Sequence, residues 1–225
     1  MSGQQLIPRP AGARPGGPPP WAQLGREARR GVTIERVRAA LPDEDLTTSE
    51  PVTRLEVESG SPAGVLLPLF EESDEARIVL TRRAAHLRSH TGEVAFPGGR
   101  LEPGEEPVAA ALRETQEEIG LDPREVEVLG QLAPLTTMSS GSRITPFVGV
   151  VGRRPRLVPN PAEVDRVFDV SLAELISDGV YRQERWDMRG LRDRPMHFFE
   201  LEDETVWGAT ARILVELLEL VARKG

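Results

Sequence analysis

The sequence predicts a mixed α/β fold (α+β), in which a mixed β-sheet lies between helices. Segments of strand-forming composition alternate along the chain with two long segments of helical composition, and this alternation favours a layered arrangement. The chain has 225 residues, of which 39% are hydrophobic, so it can bury one sizeable core. We therefore expect one folded domain.

The first twenty residues differ in composition from the rest of the chain. They contain six prolines and four glycines, a composition that sustains neither a helix nor a packed core. The sequence therefore predicts a disordered proline- and glycine-rich tail over residues 1–30, followed by the folded domain over residues 31–225.

Within this domain, composition and the spacing of apolar residues assign the helices and strands in order. Helices are predicted over residues 31–42 with Thr33 as the N-cap, 107–119 with Gly120 as the stop, 172–176, and 207–223 with one apolar face. Strands are predicted where β-forming residues cluster, over residues 63–70, 76–83, 126–132, 147–151, 164–170 and 196–201.

The predicted helix over residues 107–119 carries three glutamates on one face. Glu114, Glu117 and Glu118 fall within roughly 100° of one another, because successive helical residues are about 100° apart. Carboxylates crowded into the last turns of a helix repel one another and the helix dipole. Such a cluster of hard oxygen ligands suits Mg²⁺ or Mn²⁺. A solvated acidic face with an arginine salt bridge explains any single glutamate better, but it explains the whole set less well.

Neighbouring residues can support such a cation site. Arg113 lies one helical turn before Glu117 and can hold that carboxylate by a charge-assisted hydrogen bond, with Glu105 as a second candidate partner. Pro97-Gly98-Gly99 precedes the helix without bulky side chains, so a backbone group at Gly99 can approach a cation or a phosphate closely.

The segment from Gly99 to Leu121 resembles the Nudix box, G-x5-E-x7-R-E-U-x-E-E-x-G-U, in which U is a bulky aliphatic residue. One position departs from it, because Thr115 occupies the first U position. The resemblance implies a Nudix hydrolase, with a loop-helix-loop motif on an α/β/α sandwich, that cleaves a nucleoside diphosphate linked to another moiety.

Residues 79–99 resemble the L-L-T-x-R-[SA]-x3-R-x3-G-x3-F-P-G-G signature of the coenzyme A pyrophosphatase branch, with Val79 in place of the first Leu. Coenzyme A carries a pyrophosphate and a ribose 3′-phosphate, so its site should hold arginines suited to bidentate phosphate recognition. The candidate substrate-binding residues are Arg82, Arg83, Arg88 and Arg100, together with His90 as a phosphate donor or proton shuttle. A solvated or structural role is the alternative for each of them.

The resemblance also implies roles in catalysis. Glu114 and Glu118 are the first candidates for metal ligands, and Glu117 is either a further ligand or the group that orients and deprotonates the water. Glu163 lies in an Asn-Pro-Ala-Glu-Val stretch similar to the N-P-x-E-V of the coenzyme A branch, where it either completes a metal site, activates water or positions the turn. The implied products are 4′-phosphopantetheine and adenosine 3′,5′-bisphosphate.

Composition excludes several other classes of protein. The absence of cysteine removes thiolate zinc sites, disulfides and a cysteine nucleophile. A net charge of −8 argues against general binding to nucleic acid, and no apolar run approaches membrane-spanning length. We expect a cytoplasmic enzyme for a small nucleotide-type substrate, with monomer and homodimer both open. The alternatives are a Nudix pyrophosphatase for ADP-ribose, NADH or a nucleoside triphosphate, and a non-catalytic nucleotide sensor.

Overall fold

A computed structural model of the chain describes residues 7–25, 29, 31–41, 60–87, 92–137, 141–188 and 191–224. Its helices are α1 (Ile34–Ala40), α2 (Pro107–Ile119), α3 (Leu172–Ile176) and α4 (Gly208–Ala222). Its strands are β1 (Arg14–Pro15), β2 (Pro62–Glu72), β3 (Glu75–Arg83), β4 (Val94–Ala95), β5 (Gly98–Arg100), β6 (Val126–Gln131), β7 (Leu135–Thr136), β8 (Arg143–Val151), β9 (Val164–Ser171), β10 (Tyr181–Met188), β11 (Leu191–Glu200) and β12 (Thr205–Trp207).

The larger sheet is mixed, as the sequence predicts. Its path runs β4-β3-β2-β8-β6, with β9 paired to β3, β5 to β2 and β7 to β8. Strands β2 and β8 are parallel, and the other described pairs in this sheet are antiparallel. The predicted helices over residues 107–119 and 172–176 coincide with α2 and α3.

Helices cover both faces of the larger sheet, which confirms the predicted layering. Alternate residues of β2 point to opposite faces, so Leu66 packs in one apolar cluster and Leu67 in another. Helix α2 buries Ala111 and Ile119 with Leu66, whereas α1, α3 and α4 share the cluster of Leu67. On the carboxylate-bearing side of α2, Glu114 is partly buried and Glu117 is exposed, whereas Glu118 is buried.

Helix α2 begins in direct contact with the start of β2. A side chain at Gly64 would collide with the carbonyl oxygen of Pro107, the first residue of the helix. Gly64 also pairs with Gly99 of β5, so the beginning of β2 brings the glycine-rich strand and the helix together. The loop-helix-loop is therefore held by backbone packing.

A second, four-stranded antiparallel sheet, in the order β1-β10-β11-β12, was not predicted as a separate layer. The sequence assigned only residues 196–201 to a strand there. Strand β10 reads Tyr-Arg-Gln-Glu-Arg-Trp-Asp-Met and lacks a clear apolar alternation. It is stabilised by partners in other strands, including Phe198 of β11, whose ring centre lies 3.8 Å from the guanidinium carbon of Arg182 in β10.

Residues 7–25 pack on this second sheet, which differs from the disordered tail predicted over residues 1–30. Strand β1 pairs with β10, and Trp21 is buried, with its Nε1 donating to the carbonyl of Ile176 at 3.1 Å. The physical reason is the large apolar side chain of Trp21, which the proline and glycine content obscures, while an edge strand accommodates Pro15. Residues 1–6, 26–28 and 30 of the predicted tail lie outside the described residues.

None of the described helices is long and apolar enough to cross a membrane.

Candidate active site

Helix α2 has the ends that the sequence predicts. Pro107 occupies its first turn, and Gly120 closes it in the left-handed conformation with φ 71°, donating its N–H to the carbonyl of Gln116. Thr115, the departure from the box pattern, is fully buried and donates its hydroxyl to the Ala111 carbonyl at 2.6 Å. The hydroxyl of Thr115 therefore has a hydrogen-bond partner within the helix, and this departure from the box pattern leaves the acidic face of α2 unchanged.

Glu118 is the acidic residue of α2 that lies deepest in the protein. It is only 3% exposed, and its Oε2 accepts the backbone N–H of Gly98 at 3.2 Å. Burial raises the pKa of its carboxyl to about 7, against the lowering effects of the Gly98 hydrogen bond and the Arg83 charge. The nearby charges of Glu163 and Glu114 raise the pKa further.

Glu114 lies directly over the glycine-rich strand. A Cβ atom added at Gly99 would lie 2.6 Å from both carboxylate oxygens of Glu114. Only a residue without a side chain therefore permits this approach. The structure thus brings Gly99 close to a carboxylate of the acidic face, and its predicted contact with a cation stays a prediction.

Arg113 organises the outer part of the site. It donates from Nε and Nη2 to the two carboxylate oxygens of Glu105 at 2.9 and 3.0 Å, and from Nη1 to Oε1 of Glu114 at 2.9 Å. The predicted contact to Glu117 is longer, with Nη1 and Oε1 3.5 Å apart. Arg113 is therefore fixed mainly by Glu105, and it orients Glu114 more than Glu117.

Glu163 reaches the site through the segment that follows β8. Val158 and Asn160 donate their N–H groups to the carbonyls of Ile119 and Glu118, both at 2.8 Å. This segment thereby runs along the C-terminal end of α2, where helix carbonyls need partners. It brings the charge of Glu163 close enough to Glu118 to raise the pKa of that carboxyl.

Sequence reasoning did not include Gly98 or Asn160 among the site residues. Gly98 supplies the N–H that Glu118 accepts, and Asn160 anchors the segment that carries Glu163. The available signals were the Gly-Gly pair beside the acidic helix and the Asn-Pro turn three residues before Glu163.

The predicted arginines separate into different environments. Arg83 lies at the site, with Nη1 3.8 Å from Oε1 of Glu118. Arg82 is paired instead with Asp165 and the buried Glu204. Arg100 is exposed, and its carbonyl accepts Nη2 of Arg113 at 3.1 Å. The other two predicted substrate-binding residues, Arg88 and His90, lie outside the described residues.

Within the described part of the chain, no three histidine, cysteine, aspartate or glutamate side chains are already gathered as a metal-binding group. Of the predicted ligands, Glu114 is held by Arg113, and the Glu117 side chain is 57% exposed. The donor set fits a hard divalent cation, since the buried carboxylate of Glu118 lies near the charges of Glu114 and Glu163, and all of these side chains offer oxygen ligands. The ligand set stays a prediction.

The fold and the acidic helix agree with the comparison to known proteins. Residues 60–190 match the family model described as NUDIX domain, and the chain belongs to the Nudix family. It is a hydrolase that acts on pyrophosphate bonds, which confirms the predicted enzyme class. Nudix hydrolases generally use divalent metal ions.

The chain aligns with most of the length of two bacterial relatives. The chain is 42% identical over 160 residues to the uncharacterized Nudix hydrolase NudL of Photorhabdus laumondii, covering 71% of this chain and 84% of that protein. It is 38% identical over 161 residues to the uncharacterized NudL of Yersinia pestis, covering 71% and 79%. These relatives support the family, and the coenzyme A branch stays a prediction.

A solved structure supports the fold. The crystal structure of a MutT/nudix family protein from Enterococcus faecalis aligns with a TM-score of 0.52 and 18% identity, covering 72% of this chain and 62% of that one. The predicted Nudix fold is confirmed.

Proposed function

We propose that the chain hydrolyses the phosphoanhydride bond of coenzyme A, or of a coenzyme A derivative, to 4′-phosphopantetheine and adenosine 3′,5′-bisphosphate, with Mg²⁺ or Mn²⁺. One observation carries the proposal: both ends of the signature over residues 79–99 contact the same buried carboxylate. Arg83 lies 3.8 Å from Glu118, and Gly98 donates its N–H to it. The segment that suggests the substrate is therefore part of the acidic site.

The positions of the acidic side chains suggest a separate role for each. Glu118 and Glu114 would hold the cation, and Arg113 orients Glu114 by its hydrogen bond of 2.9 Å. A divalent cation bound there neutralises charge on the phosphate oxygens and increases the acidity of bound water.

Two glutamates are candidates for accepting the proton of the attacking water. Glu163 is partly buried and its carbonyl accepts the N–H of Ala84, the residue after Arg83, whereas the side chain of Glu117 is 57% exposed. Glu163 is therefore the more enclosed candidate for the base, and Glu117 is the alternative as base, outer ligand or positioning group.

Removing the ribose 3′-phosphate should lower catalytic efficiency. We expect kcat/KM for dephospho-coenzyme A to be roughly 10- to 100-fold below that for coenzyme A, because one or two charge-assisted hydrogen bonds to arginine would be lost. The measurement is steady-state kinetics with coenzyme A, dephospho-coenzyme A, ADP-ribose, NADH and a nucleoside triphosphate, each with Mg²⁺ and with Mn²⁺. Mass spectrometry identifies the products.

The pattern of rates distinguishes the alternatives. Equal turnover of coenzyme A and its dephospho form would show that no arginine reads the 3′-phosphate. Faster turnover of ADP-ribose or NADH would support the acidic site as the active site but would show that coenzyme A is not the preferred substrate. A folded protein that binds these nucleotides and cleaves none of them would be a nucleotide sensor.

A further inference from the structure

Arg83 is directed to the acidic site by an irregularity in strand β3. The pairing of β3 with β9 shifts register between Arg82 and Arg83, so that Arg82 lies opposite Arg166 and Arg83 opposite Val164. Such a β-bulge changes the direction of the side chains that follow it. Arg82 binds Asp165 and Glu204, whereas Arg83 reaches Glu118 on α2.

The contact between Arg83 and Glu118 is an ion pair without a hydrogen bond. The Nη1 and Oε1 atoms are 3.8 Å apart, which is too long for a hydrogen bond. The Nε atom of Arg83 is buried and has no hydrogen-bond partner, and only one other buried side-chain atom in the described residues shares this condition. The side chain as a whole is 28% exposed. Arg83 therefore has donor capacity that its present position does not use.

The neighbouring Arg82, in the same strand, has hydrogen-bond partners for all of its side-chain nitrogens. Its Nε and Nη2 both donate to Oδ2 of Asp165, and its Nη1 donates to Oε1 of Glu204 at 2.9 Å. All three of its nitrogens bind carboxylates. The incomplete bonding of Arg83 is thus not a general feature of arginines at this end of β3.

A buried unpaired N–H costs free energy, so a site that retains one should gain a partner at some step. An anionic phosphate oxygen is the acceptor that a guanidinium binds best, and the proposed substrate carries several. Glu118 meanwhile has one oxygen on Gly98 and the other facing Arg83. Any cation that takes this second oxygen must compete with Arg83.

We infer that Arg83 exchanges partners during binding: it is the counter-ion of Glu118 in the cation-free protein and turns to a substrate phosphate when a divalent cation takes Glu118. The inference rests on the proposed function and deepens it. Arg83 then acts against cation binding in the absence of substrate and in favour of substrate binding afterwards. Arg83 thereby couples cation binding to substrate binding, because the substrate phosphate provides a new acceptor when the ion pair with Glu118 is lost.

Removing the charge of Arg83 should therefore have opposite effects on the two ligands. In Arg83→Gln, we expect the affinity for Mn²⁺ without substrate to rise up to about tenfold, since a competing unit charge is lost from a partly exposed position. We expect KM for whichever phosphoanhydride the wild type cleaves to rise by about tenfold or more. Calorimetric Mn²⁺ titration at about pH 8.5, where carboxylates are normally ionised, and steady-state kinetics measure these quantities.

Two variants serve as controls. Arg83→Lys keeps the charge but loses the planar fork, so its Mn²⁺ affinity should stay near that of the wild type while its KM rises. Arg212→Gln removes one exposed positive charge on α4, across the sheet from α2, and should leave Mn²⁺ affinity unchanged. Circular dichroism confirms that each variant is folded.

Unchanged or weaker Mn²⁺ binding by folded Arg83→Gln would overturn the exchange, as would an unchanged KM. A wild-type protein that binds no Mn²⁺ would also overturn it. Failure of the proposed function is a separate result: a wild type that cleaves none of the phosphoanhydrides still shows, by Mn²⁺ titration, whether Arg83 competes for Glu118.

Discussion

Replacing Glu118 with glutamine should lower kcat by about three orders of magnitude, because a divalent cation is worth several kcal/mol of transition-state stabilisation and would lose its buried ligand. The same variant should be more stable than the wild type without added cation at about pH 8. Steady-state kinetics and urea unfolding with a chelator measure the two effects. Activity and stability would thus change in opposite directions at one residue.

The stability gain follows from the pKa of Glu118. Burial raises it from the ordinary value of 4.5 to about 7, so the folded protein prefers the protonated carboxyl. The contribution of the neutral carboxyl to stability is complete below about pH 4.5 and is lost as the pH rises through about 7. A neutral glutamine avoids that loss, although it gives up the Arg83 ion pair. We expect a gain of roughly 2 kcal/mol at pH 8 and almost none at pH 4.5.

Glu202→Gln is the matched control, because Glu202 is exposed and lies outside the site. It should retain wild-type rates and wild-type stability at both pH values. If Glu118→Gln kept near-wild-type kcat, the active site would have to be sought elsewhere in the chain. If its stability matched that of the wild type at pH 8, the ionised carboxylate of Glu118 would not destabilise the folded protein, contrary to the prediction.

Replacing Gly99 with alanine should reduce kcat/KM by about a hundredfold, because displacement of a catalytic group by about 1 Å has effects of this size. The added Cβ would lie 2.6 Å from both oxygens of Glu114, so the carboxylate must move away from its hydrogen bond with Arg113. A carboxylate at the end of a flexible side chain can move at little cost to folding. The melting temperature should therefore change by only a few degrees, of the order that 1 kcal/mol produces.

A double-mutant cycle identifies the cause of this loss. Gly99→Ala and Glu114→Gln should be strongly non-additive, since both act through the same carboxylate. Gly152→Ala is the control, because a Cβ atom there would meet nothing within 4 Å. Additive losses in the double variant would contradict the role assigned to Gly99.

The acidic helix was predictable because its information is local. The helical period places Glu114 and Glu118 on one face, and Gly120 supplies the left-handed stop that the helix requires. The Nudix box fixes the same positions independently. The long strands of the larger sheet, β2, β3, β6, β8 and β9, were predictable for a related reason, since apolar residues cluster within short segments such as β2 and β3. The two- and three-residue strands β4, β5 and β7 carry no such signal and were not predicted.

The parts that sequence reasoning missed depend on distant partners. Arg82 and Arg83 are adjacent in one motif, and only the bulge in β3 decides that the second faces Glu118. Glu105 was predicted only as the second candidate partner of Arg113, after Glu117, and tertiary packing makes it the main one. The packed segment over residues 7–25 likewise depends on a pocket for Trp21 formed far along the chain. Such outcomes follow from tertiary packing.

The central claim is that Glu114 and Glu118 together hold the divalent cation that supports phosphoanhydride cleavage. Anomalous diffraction from crystals soaked in Mn²⁺ with a slowly cleaved substrate analogue tests it most directly. The account predicts an anomalous peak in contact with oxygens of both carboxylates and of the phosphates, with Arg113 still bound to Glu105. A fully occupied Mn²⁺ peak elsewhere, with both carboxylates free of it, would contradict the account.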